Sequence, residues 1–135
     1  VIPPLQRRRA GFTLAEIMIV VAIIASLAAL ALPNFLRARK RSQASRILQD
    51  LRVIDNAIDQ YAIETNKMSG RTVLWTDIQG YVKRNSKLYN SGGFDLLGGS
   101  YSGGTFKVDS IPTVSLGTFL QLSDVAPAEF WSPYR

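Results

Sequence analysis

Glu16 is the residue whose placement most needs a chemical reason. It is the last charge before twenty uncharged residues, Ile17 to Leu36, interrupted late by Pro33. A carboxylate beside so long an apolar run is costly unless it is paired or reaches water. It can complement the positive end of a helix beginning near it. In a bundle of such helices it would need a cation, because an unpaired charge in apolar surroundings is expensive. Its plain alternative is a helix-end carboxylate that snorkels to lipid headgroups. Five residues earlier stands Gly11, preceded by the basic run Arg7-Arg8-Arg9 and followed by Phe12. A glycine lets another backbone approach closely. The three arginines would hold their segment at an anionic membrane surface.

Little else in the composition can do catalysis. The chain has no histidine and no cysteine. That leaves no imidazole or thiol chemistry, no ordinary zinc set and no disulfide. The ten acidic residues are scattered, with no paired-carboxylate spacing. The glycine-rich stretch from Asn85 to Gly104 invites a phosphate-cradling reading. No lysine of the P-loop type follows it, and no dinucleotide fingerprint opens a helix, so turns are its plain reading. The net charge of +6 comes from the flanks of the apolar run: Arg7 to Arg9 before it, and Arg37, Arg39, Lys40 and Arg41 after it. From Arg46 onward, nine basic residues face nine acidic ones. A basic globular face for nucleic acid is therefore not indicated.

The elements that must position these residues follow from periodicity. At about 1.5 Å per residue, twenty helical residues span about 30 Å, the thickness of a bilayer's hydrocarbon core. A cleavable secretory signal has an apolar core of about 7–15 residues. This run is longer and continues through Pro33-Asn34-Phe35-Leu36, so a retained membrane helix is expected. Basic residues on both flanks leave the positive-inside rule close to a tie. Pro33 removes the backbone bond to the carbonyl of Ala29. It reads either as a tolerated kink or as a weak point where the helix can bend or stretch.

Beyond Leu36 the apolar residues Ile47, Leu51, Ile54, Ile58 and Tyr61 recur at helical spacing. Leu48, Ala57 and Ala62 widen this stripe, with Asp50, Arg52, Asp55, Asp59 and Glu64 mostly off it. One helix is expected from about Thr13 to Asn66, its second half carrying a small sheet. Thr76 to Gln79 reads as a capping box opening a short helix to about Lys83. Turns between short strands are expected over 85–104. Strands are expected at Thr105–Ser110 and Ile111–Leu116, and a short helix over 117–124. The aromatic tail to Tyr134 should be packed down by Phe130 and Trp131. The fold class is α+β: a long N-terminal helix on a small C-terminal antiparallel sheet. Four regions result: a basic segment at 1–11, a transmembrane helix at 12–36, its amphipathic continuation at 37–66, and a small globular domain at 67–135.

The string Gly11-Phe12-Thr13-Leu14-Ala15-Glu16, after a basic leader and before an apolar helix, resembles the type IV pilin superfamily. That superfamily includes pilus subunits and the pseudopilins of type II secretion. The close resemblance covers residues 7 to about 60, and its style is nearest the major pseudopilins. It implies cleavage between Gly11 and Phe12 by a prepilin peptidase, N-methylation of Phe12, and a C-terminal domain in the periplasm, anchored in the bacterial inner membrane. It also implies a homopolymeric filament with minor pilins or pseudopilins as partners. An inner-membrane platform protein with its assembly ATPase would build that filament. Glu16 would then pair with the Phe12 ammonium, on its own chain or a neighbour's. The resemblance raises calcium as well, since major pseudopilins often hold it in an acidic C-terminal loop. Here Asp95, Asp109, Asp124 and Glu129 are dispersed. Asp95 is the single candidate ligand, an ordinary turn aspartate is its plain reading, and no cofactor is expected.

The function expected is thus a structural filament subunit, of a type II secretion pseudopilus or a type IV pilus, and not an enzyme. The alternatives are a pilus subunit with a DNA-uptake or adhesion role, prompted by Arg37 to Arg41, and a membrane-anchored enzyme, which the missing nucleophile–base pairs disfavour.

Overall fold

A computed structural model describes residues 11–135. The leader arginines Arg7, Arg8 and Arg9 lie outside the described residues. The dominant element is a single helix, α1 (Leu14–Thr65), of 52 residues. The chain divides after Leu36 into two compact units.

In the first unit, every described residue from Gly11 to Leu36 is exposed, large apolar side chains included. The helix keeps its polar side chains within its own backbone. Ser26 Oγ donates to the Ala22 carbonyl at 2.8 Å, and Asn34 Nδ2 donates to the Leu30 carbonyl at 3.3 Å. Such internal bonding is what a helix in hydrocarbon requires. Pro33 sits inside α1, and the helix continues past it.

The second unit, Arg37 to Arg135, has a core of its own. Ile47, Leu51, Ile54 and Ile58 of α1 are essentially fully buried, as their spacing predicts. Asp50 is a correction: it lies among them and is buried, not off the stripe. Three residues of β1 (Thr72–Leu74) pair antiparallel with β2 (Thr105–Lys107), in the register Thr72↔Lys107, Val73↔Phe106 and Leu74↔Thr105. Val73 and Phe106 point into the core and their neighbours point out. The result is the α+β, pilin-like architecture of a long helix with a small antiparallel sheet.

Between and after the strands the chain is more helical than expected. The helix α2 (Trp75–Ile78) starts one residue before Thr76, with Leu74 as its N-cap. The cap works through the Asp77 carboxylate, which accepts the Leu74 N–H at 2.9 Å; Thr76 plays no capping part in it. A 3-10 turn, Gln79–Tyr81, follows. In the glycine-rich stretch a helix, α3 (Lys87–Ser91), replaces the expected strands, opened by Ser86 as N-cap and closed by Gly92 at φ 69°. One isolated bridge, Phe94↔Ser100, is all the strand pairing there.

Of the expected strand Ile111–Leu116, residues 111–115 join no sheet and Leu116 already opens a helix. Backbone donors of 111–115 are satisfied elsewhere: Thr113 N–H by Ser102 Oγ, and Val114 N–H by the Tyr134 carbonyl. The helix α4 (Leu116–Leu122) and a one-turn α5 (Ala128–Trp131) complete the chain. Trp131 is fully buried, with its indole N–H on the Ala126 carbonyl at 3.1 Å. Phe130 packs edge-on against it, only partly buried.

Candidate processing and assembly site

The candidate site is the start of α1. Gly11, Phe12 and Thr13 precede the helix and are exposed, Phe12 to 84%. Thr13 is the N-cap, since its carbonyl accepts the first helical bond from Ile17 N–H at 3.3 Å. The Glu16 N–H donates to Thr13 Oγ1 at 3.2 Å. In return Glu16 Oε2 accepts the Thr13 N–H at 2.7 Å and the Thr13 hydroxyl at 2.8 Å. This is a reciprocal capping box, threonine at N-cap and glutamate at N3. The T-x-x-E spacing of Thr13 and Glu16 was its visible signal, and Thr13 is the residue that the reading of Glu16 alone overlooks.

The capping box gives Glu16 a definite role in this chain. It holds two orphan donors of the first turn and places one negative charge at the positive helix end. Only Oε2 is engaged by these bonds, so Oε1 remains for a further donor. Gly11, Phe12 and Thr13 run directly into the first turn of α1, which holds Glu16; Pro33 lies well along the same helix. Gly11 has open space around it: a Cβ there would meet nothing within 4 Å. No packing among the described residues demands a glycine at that position. Any demand comes from what binds the segment.

The other candidate, Asp95, is a buried loop organiser in the second unit. Its Oδ1 accepts the N–H groups of Leu97 at 2.8 Å and Gly99 at 2.9 Å. Its Oδ2 accepts the Thr118 hydroxyl at 2.5 Å, and Thr118 in turn accepts from Ser115, the N-cap of α4. A Cβ on Gly99 would collide with the side chains of Ser115, Thr118 and Asp95. Among the described residues no three acidic side chains converge.

Two further carboxylates, expected mostly off the apolar stripe, bond tyrosine hydroxyls of the second unit. Asp50 accepts the buried Tyr101 hydroxyl at 3.3 Å, and Asp55 accepts the Tyr134 hydroxyl at 3.3 Å. Burial pushes both carboxyls above their ordinary value. For Asp50 the Arg46 guanidinium and the Tyr101 hydroxyl oppose that push; for Asp55 the Tyr134 hydroxyl does. These contacts clasp residues 101 and 134 to α1. A cleft of about 300 Å³ borders Asp50, lined also by Arg46, Gln49, Val53 and Lys83.

The prokaryotic N-terminal methylation motif matches residues 6–32. The chain is 34% identical over 62 residues to the type II secretion system core protein G of Aeromonas hydrophila, covering 46% of this chain and 43% of that one. It is 44% identical over 62 residues to the type IV major pilin protein PilA of Myxococcus xanthus, covering 46% and 28%. It is 41% identical over 66 residues to the type IV major fimbrial protein FimA of Dichelobacter nodosus, covering 49% and 41%. The chain thus spans less than half the length of these curated relatives. No solved structure gives a significant match. By its methylation motif and these relatives, the chain is similar over part of its length to type IV pilins and to the type II secretion core protein G.

Proposed function

We propose that this protein is the subunit of a helical filament, stored in the bacterial inner membrane by residues 12–36 and polymerised from there. The observation that carries the reading is the joint state of the two ends of that segment. Its apolar side chains are all exposed, and exposed Gly11 and Phe12 lead directly into a first helical turn capped by Glu16. A prepilin peptidase cuts at Gly11-Phe12 and methylates Phe12, after the leader arginines Arg7, Arg8 and Arg9 have held the substrate at the cytoplasmic surface. The new Phe12 ammonium pairs with the unengaged Glu16 oxygen, its own or a neighbour's, and a neighbour's pair would set axial register. Pro33 supplies the point at which the helix yields during extraction. Minor pilins or pseudopilins, a platform protein and an assembly ATPase are the partners this reading requires, with the second unit in the periplasm.

The relatives are a secretion-system core protein and pilins, and no enzymatic step is assigned. Pseudopilus is favoured over pilus, because the second unit is small and free of cysteine. The test is co-expression with an active prepilin peptidase. A shift to the mass of a chain beginning at Phe12 is expected, and Gly11→Val should abolish it, since a branched side chain blocks close backbone approach. No shift, or a shift that survives Gly11→Val, overturns the reading.

A further inference from the structure

The cationic residues that follow the apolar run have no part in the processing and assembly just described. Leu36 ends the uncharged stretch, and Arg37, Arg39, Lys40 and Arg41 come within the next five positions of the same helix. At 3.6 residues per turn, Arg37, Lys40 and Arg41 share one side of α1, while Arg39 lies about 200° from Arg37. Basic charge therefore surrounds the helix. Arg37, Arg39 and Arg41 are exposed. Among the described residues the one ion pair this group makes is with Asp124, whose carboxylate is bonded to Lys40 at 2.9 Å. The Lys40 bond and the field of Arg37 together hold Asp124 below its ordinary range. Among the described residues Arg37, Arg39 and Arg41 make no ion pair.

A self-contained surface would intersperse acids among such charges. Here one acid answers four bases, so the surface is complementary to something anionic. Depth decides what. Ile17 to Leu36 spans about 30 Å as helix, so a guanidinium at the next position stands at the level of phospholipid phosphates. Guanidinium groups bind phosphate oxygens in a fork. We infer that Arg37, Arg39 and Arg41 form a collar that binds the phosphodiester headgroups of anionic lipid, of the phosphatidylglycerol type, in the leaflet facing the second unit. Asp124 limits the collar by occupying Lys40. The collar makes the stored subunit select its lipid neighbours, and those contacts must be released when the subunit leaves the membrane.

The inference rests on the membrane reading above, and its test separates the two. The full chain is reconstituted into nanodiscs of equal phosphatidylglycerol and phosphatidylcholine. Lipids retained by the protein are counted by mass spectrometry after detergent release. Enrichment of phosphatidylglycerol is expected, falling by up to about fivefold with each arginine removed. Arg37→Gln, Arg39→Gln and Arg41→Gln together should abolish the part of the enrichment that Arg7 to Arg9 do not supply. Asp124→Asn, which frees Lys40, should raise it. All four positions are exposed, so the thermal transition of the second unit should stay in place and show that each variant is folded. A chain that enters the discs with the same lipid preference in the wild type and the triple variant overturns the collar alone. A chain that does not enter the discs overturns the membrane reading beneath it.

Discussion

The two halves of α1 use the same kinds of apolar residue to opposite ends. From Ile17 to Leu36, leucine, isoleucine, valine and alanine occur on every side of the helix, and all are exposed. From Ala44 to Ile58 they occupy one stripe and are buried by the rest of their own unit. Burying one such side chain contributes about 1.5–3 kcal/mol. The second half gains this within the chain. The first half can gain it only from something else, lipid or other helices. Apolar residues on all sides therefore mark a segment whose partners are external, and an apolar stripe marks one whose partner is the same chain.

The comparison can be broken most easily at the largest buried side chain. Trp131→Ala should destabilise the second unit by about 3–5 kcal/mol, read by denaturant unfolding of the full chain in detergent micelles. A matched pair sharpens it further. Leu51→Ala should cost about 2–5 kcal/mol in that assay. Leu30→Ala, the same substitution in the exposed half, should change it by less than about 0.5 kcal/mol. Equal effects would contradict the division of α1 into two environments.

Smaller effects test the polar scaffold of the second unit. Asp95→Ala strands the Leu97 and Gly99 donors and the Thr118 hydroxyl, and should cost about 2–4 kcal/mol. Gly99→Ala should cost about 1–3 kcal/mol by overpacking the same knot. The smallest is a pH effect. Asp50 is held above its ordinary value of 3.8 in the folded protein, mainly by burial. The folded state therefore keeps this proton where the unfolded chain has lost it. The contribution of Asp50 to stability is greatest in acid and is lost as pH rises through the folded value. Asp50→Asn still offers an acceptor to Tyr101 and does not titrate. The stability of that variant relative to wild type should improve from about pH 4 to about pH 7. A gap that is constant with pH would show that Asp50 titrates as it does in the unfolded chain.

These features were unequally legible in the sequence. The span of α1 was visible because two different periodic signals, an all-round apolar run and a stripe, meet without a stop signal between them. The burial of Ile47, Leu51, Ile54 and Ile58 followed from spacing alone. Asp50 stands at the same helical spacing, three residues after Ile47, but its charge argues against burial until its partner Tyr101, 51 residues away, is seen. The strand at Thr72–Leu74 was overlooked because three residues carry too little alternation, and its identity comes from its pairing with Thr105–Lys107. Ile111–Leu116 had the composition of a strand, yet the tail and Ser102 bond its backbone instead of a ladder. At the candidate site the residue types were plain. The mutual capping of Thr13 and Glu16 needed only the three-residue spacing to be read as a box. Asp95 shows the converse: its plain reading as a turn aspartate fits the donors gathered on it.

The central claim is that residues 12–36 exchange one external environment for another, while residues 44–58 keep theirs. A photoreactive amino acid placed at Ile24, or separately at Leu51, tests it in cells. With the assembly machinery absent, the probe at Ile24 should crosslink to lipid; with it present, to a second copy of the chain. The probe at Leu51 should crosslink within its own chain in both cases. Crosslinks from Ile24 into residues 37–135 of the same chain, or no change at Ile24 when the machinery is present, would contradict the account.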